Sequence, residues 1–185
     1  MGETTVGVIG GTGLEEALGA LGSGEVHEIE TPFGRPSSPI VTTQVGGVRV
    51  ALLKRHGPGH VLGPSEVPYR ANIFALKALG VTHILASGAV GSLREDLAPR
   101  HLVIPDQIID NTTRRAGTFF EGGVVAHVEL ANPFCPALRK ILAMAAAGFP
   151  VRVHQGEPTS AWRGRSSRRG PRASFTAPGA RRSSA

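Results

Sequence analysis

Val6-Gly7-Val8-Ile9-Gly10-Gly11-Thr12-Gly13, near the start of the chain, is its strongest architectural signal. An apolar strand runs directly into a loop with almost no side chains. Residues 14–18, Leu-Glu-Glu-Ala-Leu, are suited to open a helix behind that loop. Strand, bare loop and helix start together make an α/β unit whose exposed backbone N–H groups and helix N-terminus favour a phosphate. The spacing does not fit the dinucleotide pattern G-x-G-x-x-G, because Glu16 stands at the third glycine position, and no G-K-[ST] follows. Taken alone, the loop fits a ligand-free turn equally well. Thr12 shifts the reading toward an anion, since a hydroxyl among bare amides is a natural phosphate donor.

The 185 residues, with 41% hydrophobic content, are enough for one domain with a core. No apolar run has membrane-spanning length and no signal peptide opens the chain, so the expected location is the cytoplasm. The single cysteine, Cys135, excludes an internal disulfide. Charge is divided unevenly. Residues 1–155 carry 13 Lys and Arg against 13 Asp and Glu, whereas residues 156–185 hold seven Arg against Glu157 and supply the whole net charge of +6. That last stretch is rich in Ser, Gly and Pro, with Trp162 and Phe175 its large apolar residues. It reads as a disordered basic tail, because it cannot bury enough surface to offset the entropy of ordering.

Strands are expected over 26–30, 40–45, 48–53, 81–86 and 102–104, with another beginning at 151–153. Gly46-Gly47 marks a hairpin. Helices are expected over 69–79, with Ile73, Leu76 and Leu79 on one face and Gly80 as its stop, and over 136–147 behind Pro136. The fold class is therefore α/β: one domain with a twisted, mostly parallel central sheet flanked by helices.

Arg55-His56-Gly57 follows the strand 48–53, at the sheet end where open α/β sheets place ligands. The arginine fork matches phosphate oxygens bidentately. Ser87-Gly88-Ala89 opens a second small-residue loop after the strand 81–86. Two such loops and an arginine at three strand ends point to a convergent anion site. His60, in the same Gly- and Pro-rich stretch as His56, reads as structural or solvated. Asp106 and Asp110, at i,i+4, fit a helix face or a solvated edge. No histidine–carboxylate cluster has metal-ligand spacing and no G-x-S-x-G is present, so metal and serine hydrolysis are poor candidates.

The motifs together resemble the 5′-methylthioadenosine phosphorylases, trimeric members of the purine nucleoside phosphorylases. Those carrying the resemblance are Ile9-Gly10-Gly11-Thr12-Gly13, Thr31-Pro32-Phe33-Gly34, Arg55-His56-Gly57, Tyr69-Arg70-Ala71-Asn72-Ile73 and Gly91-Ser92-Leu93-Arg94. Pro105-Asp106-Gln107, Thr118-Phe119-Phe120, His127-Val128 and Pro133-Phe134-Cys135-Pro136 continue the series in order, over about residues 5–155. The resemblance implies phosphorolysis of 5′-methylthioadenosine to adenine and 5-methylthioribose 1-phosphate. Inorganic phosphate would be the co-substrate, with no metal and no organic cofactor, in a homotrimer with no membrane or nucleic-acid partner. It implies that Thr12, Arg55, His56, Ser87, Gly88 and Ala89 bind phosphate. His127 would approach the ribose 5′ end, in its own or a neighbouring subunit. No catalytic residue is assigned. Arg100-His101 departs from the family's usual Gly-Asp and is expected to alter a surface turn only.

The resemblance also implies that the family motif continues past Gln155 as Gly-Thr-Tyr-Val-x-x-Glu-Gly-Pro-x-Phe-Ser-Ser-Arg-Ala-Glu-Ser. This chain instead reads Gly156-Glu157-Pro158-Thr159-Ser160-Ala161-Trp162-Arg163. Joining the third base of each codon to the first two of the next allows the family residues. Thr arises from Glu157/Pro158, Tyr from Pro158/Thr159, and Glu and Gly from Trp162/Arg163 and Arg163/Gly164. The expected organisation is thus an incomplete phosphorylase domain over 1–155 and an out-of-frame tail over 156–185. On that view the purine-binding segment is missing, and this chain is expected to show no phosphorolysis. Two alternatives stand beside it. One is a phosphorylase of 6-oxopurine nucleosides such as methylthioinosine, inosine or guanosine. The other is a non-enzymatic nucleic-acid binder acting through the basic tail.

Overall fold

The computed structural model describes residues 4–11, 24–113 and 115–162. Thr12 and the helix expected over 14–18 lie outside them. Among the described residues, seven strands and two helices follow in the order β1 Thr5–Gly10, β2 Glu25–His27, β3 Ile40–Val45, β4 Val48–Lys54, α1 Tyr69–Ala78, β5 His83–Ala86, β6 Leu102–Asn111, α2 Pro136–Ala146 and β7 Val153–Trp162.

Five strands form one sheet in the order β2-β3-β4-β1-β5. β1 lies parallel to both β4 and β5, while the β2–β3 and β3–β4 pairings are antiparallel. The hairpin between β3 and β4 turns on Gly46 (φ 56°) and Gly47 (φ 80°), and two positive φ values in succession give a turn matching the strand twist. β6 and β7 pair in parallel as a second, two-stranded sheet. Three of the five pairings are parallel, but the parallel strands are divided between two sheets.

The core lies between the larger sheet and α1, with Ile9, Ile40, Ala51, Leu53, Ala75, Leu76 and Val81 buried together. The buried stripe of α1 is Ala71, Asn72, Ala75 and Leu76, while Ile73 and Leu79 pack partly against its margin. Small alanines let the helix approach the sheet closely. Gly80 (φ 79°) ends α1: its N–H donates to the Lys77 carbonyl at 3.0 Å, and the Val81 N–H donates to that of Leu76 at 3.1 Å. This double closure folds Val81 back into the core.

Four expectations are corrected. The strand expected over 81–86 is four residues long and largely exposed, because β5 is the sheet's edge. The strand expected over 102–104 runs on to Asn111 through irregularities around Pro105, whose missing N–H interrupts the ladder. Asp106 and Asp110 therefore stand on a strand and mark no helix face. β7 continues to Trp162, so regular structure passes the boundary expected at residue 155; its partner β6 supplies the backbone ladder.

Asn72 is the one polar residue in the buried stripe of α1. Its Oδ1 accepts from the Ser37 N–H at 2.8 Å. Asn72→Ala would orphan that donor, and the expected cost is about 1–3 kcal/mol, read from urea unfolding of the 185-residue chain. An unchanged midpoint would show that water satisfies Ser37.

Candidate functional site

β1, β4 and β5 are mutually parallel, so their carboxyl ends stand side by side. The last ladder bonds fix the level of the next residues: the Arg55 N–H donates to the Gly10 carbonyl and the Ser87 N–H to that of Ile9, both at 3.1 Å. Gly11, Arg55 and Ser87 are thereby the first residues beyond three adjacent strands.

The Arg55 guanidinium lies across this gap. Nη1 donates to the Ser87 carbonyl at 3.0 Å, and Nε donates to His56 Nε2 at 3.3 Å. Among the described residues these contacts use two of the five guanidinium N–H groups. Nη2 faces the glycines. A Cβ placed on Gly11 would stand 2.7 Å from it, and one on Gly88 3.5 Å. The arrangement is a fixed cation flanked by backbone without side chains, with donors still available to an anion.

His56 is held in one tautomer by chemistry alone. Its Nδ1 lies 2.8 Å from the Leu62 carbonyl, which can only accept, so Nδ1 carries the proton. Nε2 then offers its lone pair to the Arg55 Nε–H, which can only donate. In this arrangement the His56 ring holds the Arg55 Nε–H. The His60 ring lies against it with centroids 4.3 Å apart.

Sequence reasoning missed the support beneath Arg55. Ser38 Oγ accepts from the Lys54 N–H at 3.1 Å, and Ser37 Oγ lies 2.9 Å from the Lys54 carbonyl. Ser37 is in turn held by Asn72. A polar residue in the apolar stripe of α1 was the available signal, and it pointed to this brace.

Of the expected site residues, Arg55, His56, Ser87 and Gly88 come together. Ala89 follows in the same exposed loop, and Thr12 lies outside the described residues. His127 is exposed, and among the described residues no hydrogen bond or ion pair joins it to Arg55. The stretch leading to it is anchored elsewhere. Phe33 meets Phe74 and Phe119 edge-on, with ring centroids 5.8 and 5.3 Å apart. Arg70 lies over Phe33 at 4.9 Å, pairs with Glu121 at 2.7 Å and donates to the Thr118 carbonyl at 3.2 Å. Among the described residues no group of three His, Cys, Asp or Glu side chains could hold a metal, and no helix is long and apolar enough to cross a membrane.

Gly11→Ala tests the close approach. The new methyl collides with Arg55 Nη2, and the flexible guanidinium is what yields. Phosphate affinity by calorimetry is expected to fall about tenfold, the loss of one charge-assisted hydrogen bond, with the unfolding midpoint little changed. Equal affinity would remove Gly11 from the site.

Residues 5–160 match the profile of the phosphorylase superfamily. Among curated relatives, the S-methyl-5′-thioadenosine phosphorylase of Chloroflexus aurantiacus is 55% identical over 157 residues, covering 84% of this chain and 54% of that protein. That of Geobacter sulfurreducens is 51% identical over 155 residues, covering 83% and 54%. The chain spans about half the length of the curated relatives it matches. Among solved structures, a methylthioadenosine phosphorylase from an antarctic soil metagenomic library superposes with a TM-score of 0.82 at 46% identity, covering 89% of this chain and 58% of that one. The Schistosoma mansoni enzyme in complex with tubercidin gives a TM-score of 0.82 at 39% identity, covering 88% and 66%.

Proposed function

The chain belongs to the phosphorylase superfamily, and from that premise we propose that it carries the inorganic-phosphate half of a purine nucleoside phosphorylase site. The observation that supports this reading is the Arg55 guanidinium lying between Gly11 and Gly88 at three parallel strand ends. The whole protein converts 5′-methylthioadenosine and phosphate to adenine and 5-methylthioribose 1-phosphate. Arg55, together with Thr12 and the Ser87–Ala89 loop, orients the phosphate dianion against C1′. A phosphate oxygen forms the new bond to C1′ as the C1′–N9 bond breaks and the base leaves with the electron pair and takes up a proton. The dianion stabilises the cationic sugar and then bonds to it, so positioning and electrostatics do the work. His127 serves the 5′ methylthio end, in a homotrimer of the cytoplasm that needs no metal or organic cofactor.

The test is phosphate-dependent release of base by the frame-restored protein from methylthioadenosine, methylthioinosine, inosine and guanosine. Adenine release from the first supports the reading. Turnover confined to the other three would replace it with the 6-oxopurine activity. DNA binding that weakens with salt and vanishes on removal of residues 156–185 would favour the basic-tail alternative.

Residues from about Gly156 onward are, on this reading, translated one frame away from the family sequence. The gene's nucleotides decide it. The shifted frame is expected to spell the family motif, and a stop codon or unrelated residues there would end the idea. The 185-residue chain and its frame-restored counterpart, assayed side by side, are expected to release adenine only in the second case.

A further inference from the structure

His101 and His154 form a pair that the site does not use. The turn Ala98-Pro99-Arg100-His101 closes with the His101 N–H donating to the Ala98 carbonyl at 3.2 Å. Arg100 sits at φ 72°, a left-handed conformation unfavourable for a side chain of this size, so the turn needs support from outside. That support comes from the His101 ring. The Ala98 N–H donates to His101 Nδ1 at 3.2 Å, and a backbone amide can only donate, so Nδ1 carries no proton. His154 Nε2, on β7, lies 3.0 Å from the same Nδ1, with the two rings stacked at 5.0 Å. His154 must therefore be the donor. One lone pair on His101 holds both the turn before β6 and the start of β7.

We propose that the His101–His154 pair is a proton-sensitive clasp at the entrance to the β6–β7 sheet, closed at neutral pH and opened when His101 takes up a proton. Nε2 of His101 is already protonated in the closed form, so an added proton can enter only at Nδ1. There it faces two donors, Ala98 N–H and His154 Nε2–H, and both contacts become repulsive. Protonation of His154 at its own Nδ1 leaves its Nε2–H donation intact, so His101 is the switch. The open state binds one more proton than the closed state, so acidification favours opening.

The charged groups nearby modulate this without replacing it. Arg94 pairs with Asp96 at 2.6 Å and with Glu157 on β7. Its hydrogen bond holds the Asp96 carboxyl below the usual carboxylate range, so Asp96 stays ionised through the window and attracts a charged His154. Arg100 and Arg152 adjoin the pair in sequence. From α2, packed on both strands, the charged groups are Lys140 and Arg139, the latter 3.8 Å from Asp106.

The experiment compares the 185-residue chain with His101→Asp. Aspartate accepts from Ala98 and His154 as His101 does, but titrates far lower. Between pH 7.5 and about 5.5 the parent's unfolding midpoint is expected to fall by about 2–4 °C, and the variant's to hold or rise. An equal fall in both would overturn the proposal. Ring nitrogen chemical shifts of the parent at neutral pH give an independent check: they should show His101 bare at Nδ1, and a proton there would equally overturn it.

Discussion

Arg55→Ala is expected to abolish the phosphate binding proposed for the three strand ends. With the fork removed, the strand ends retain bare backbone at Gly11 and Gly88 but no cation between them. Each hydrogen bond from a charged group contributes about 1.5–3 kcal/mol, and a dianion between three strand ends meets at least two from Arg55, so affinity should drop by about 100-fold or more. Arg55→Lys is the informative companion. It keeps the charge, but an ammonium cannot reach the Ser87 carbonyl, His56 Nε2 and a phosphate in one geometry, so an intermediate loss of about tenfold is expected. Calorimetric titration with inorganic phosphate, alongside the phosphate-induced shift of the unfolding midpoint, checks both. Unchanged binding by the alanine variant would mean that the anion sits elsewhere.

Gly7→Val should have the largest effect on stability. Gly7 lies in the middle of β1, where a glycine normally weakens a strand. The reason for it is visible in the packing. An added Cβ would stand 2.9 Å from Val81 Cγ1 and 3.5 Å from both Ile84 Cγ1 and Leu76 Cδ2. Val81 has no room to retreat, because the hydrogen bonds that end α1 fix its backbone. Valine adds two further methyls to that contact. Overpacking of this kind costs about 1–3 kcal/mol, and the crowding here argues for the upper end, a midpoint lower by roughly 6–10 °C. Thermal unfolding followed by circular dichroism measures it, and a drop of a degree or less would show that α1 can move away from the sheet.

Much of this was legible in the sequence because local chemistry carries it. β3 begins and ends where alternation and Gly46-Gly47 put it, and α1 and α2 end within a residue of their expected stops. Arg55 and Ser87 lie side by side because each is the first residue past one of three adjacent parallel strands. What could not be read depends on tertiary partners. The exposure of β5 follows from its place at the sheet edge, which no residue of His83–Ala86 announces. β6 outruns its apolar start because β7 pairs with it beyond Pro105. The role of His56 depends on which carbonyl meets its Nδ1, and that is set six residues later at Leu62. His101 looked like a substitution in a surface turn, until the approach of β7 put His154 against it.

The double tie between His56 and Leu62, ring to carbonyl at 2.8 Å and carbonyl to amide at 2.9 Å, closes residues 56–62 into a ring of fixed circumference. An insertion or deletion inside that ring would have to break one tie, free the imidazole and so let the Arg55 fork swing. Loop-length engineering, affinity tags or linkers therefore belong outside this segment.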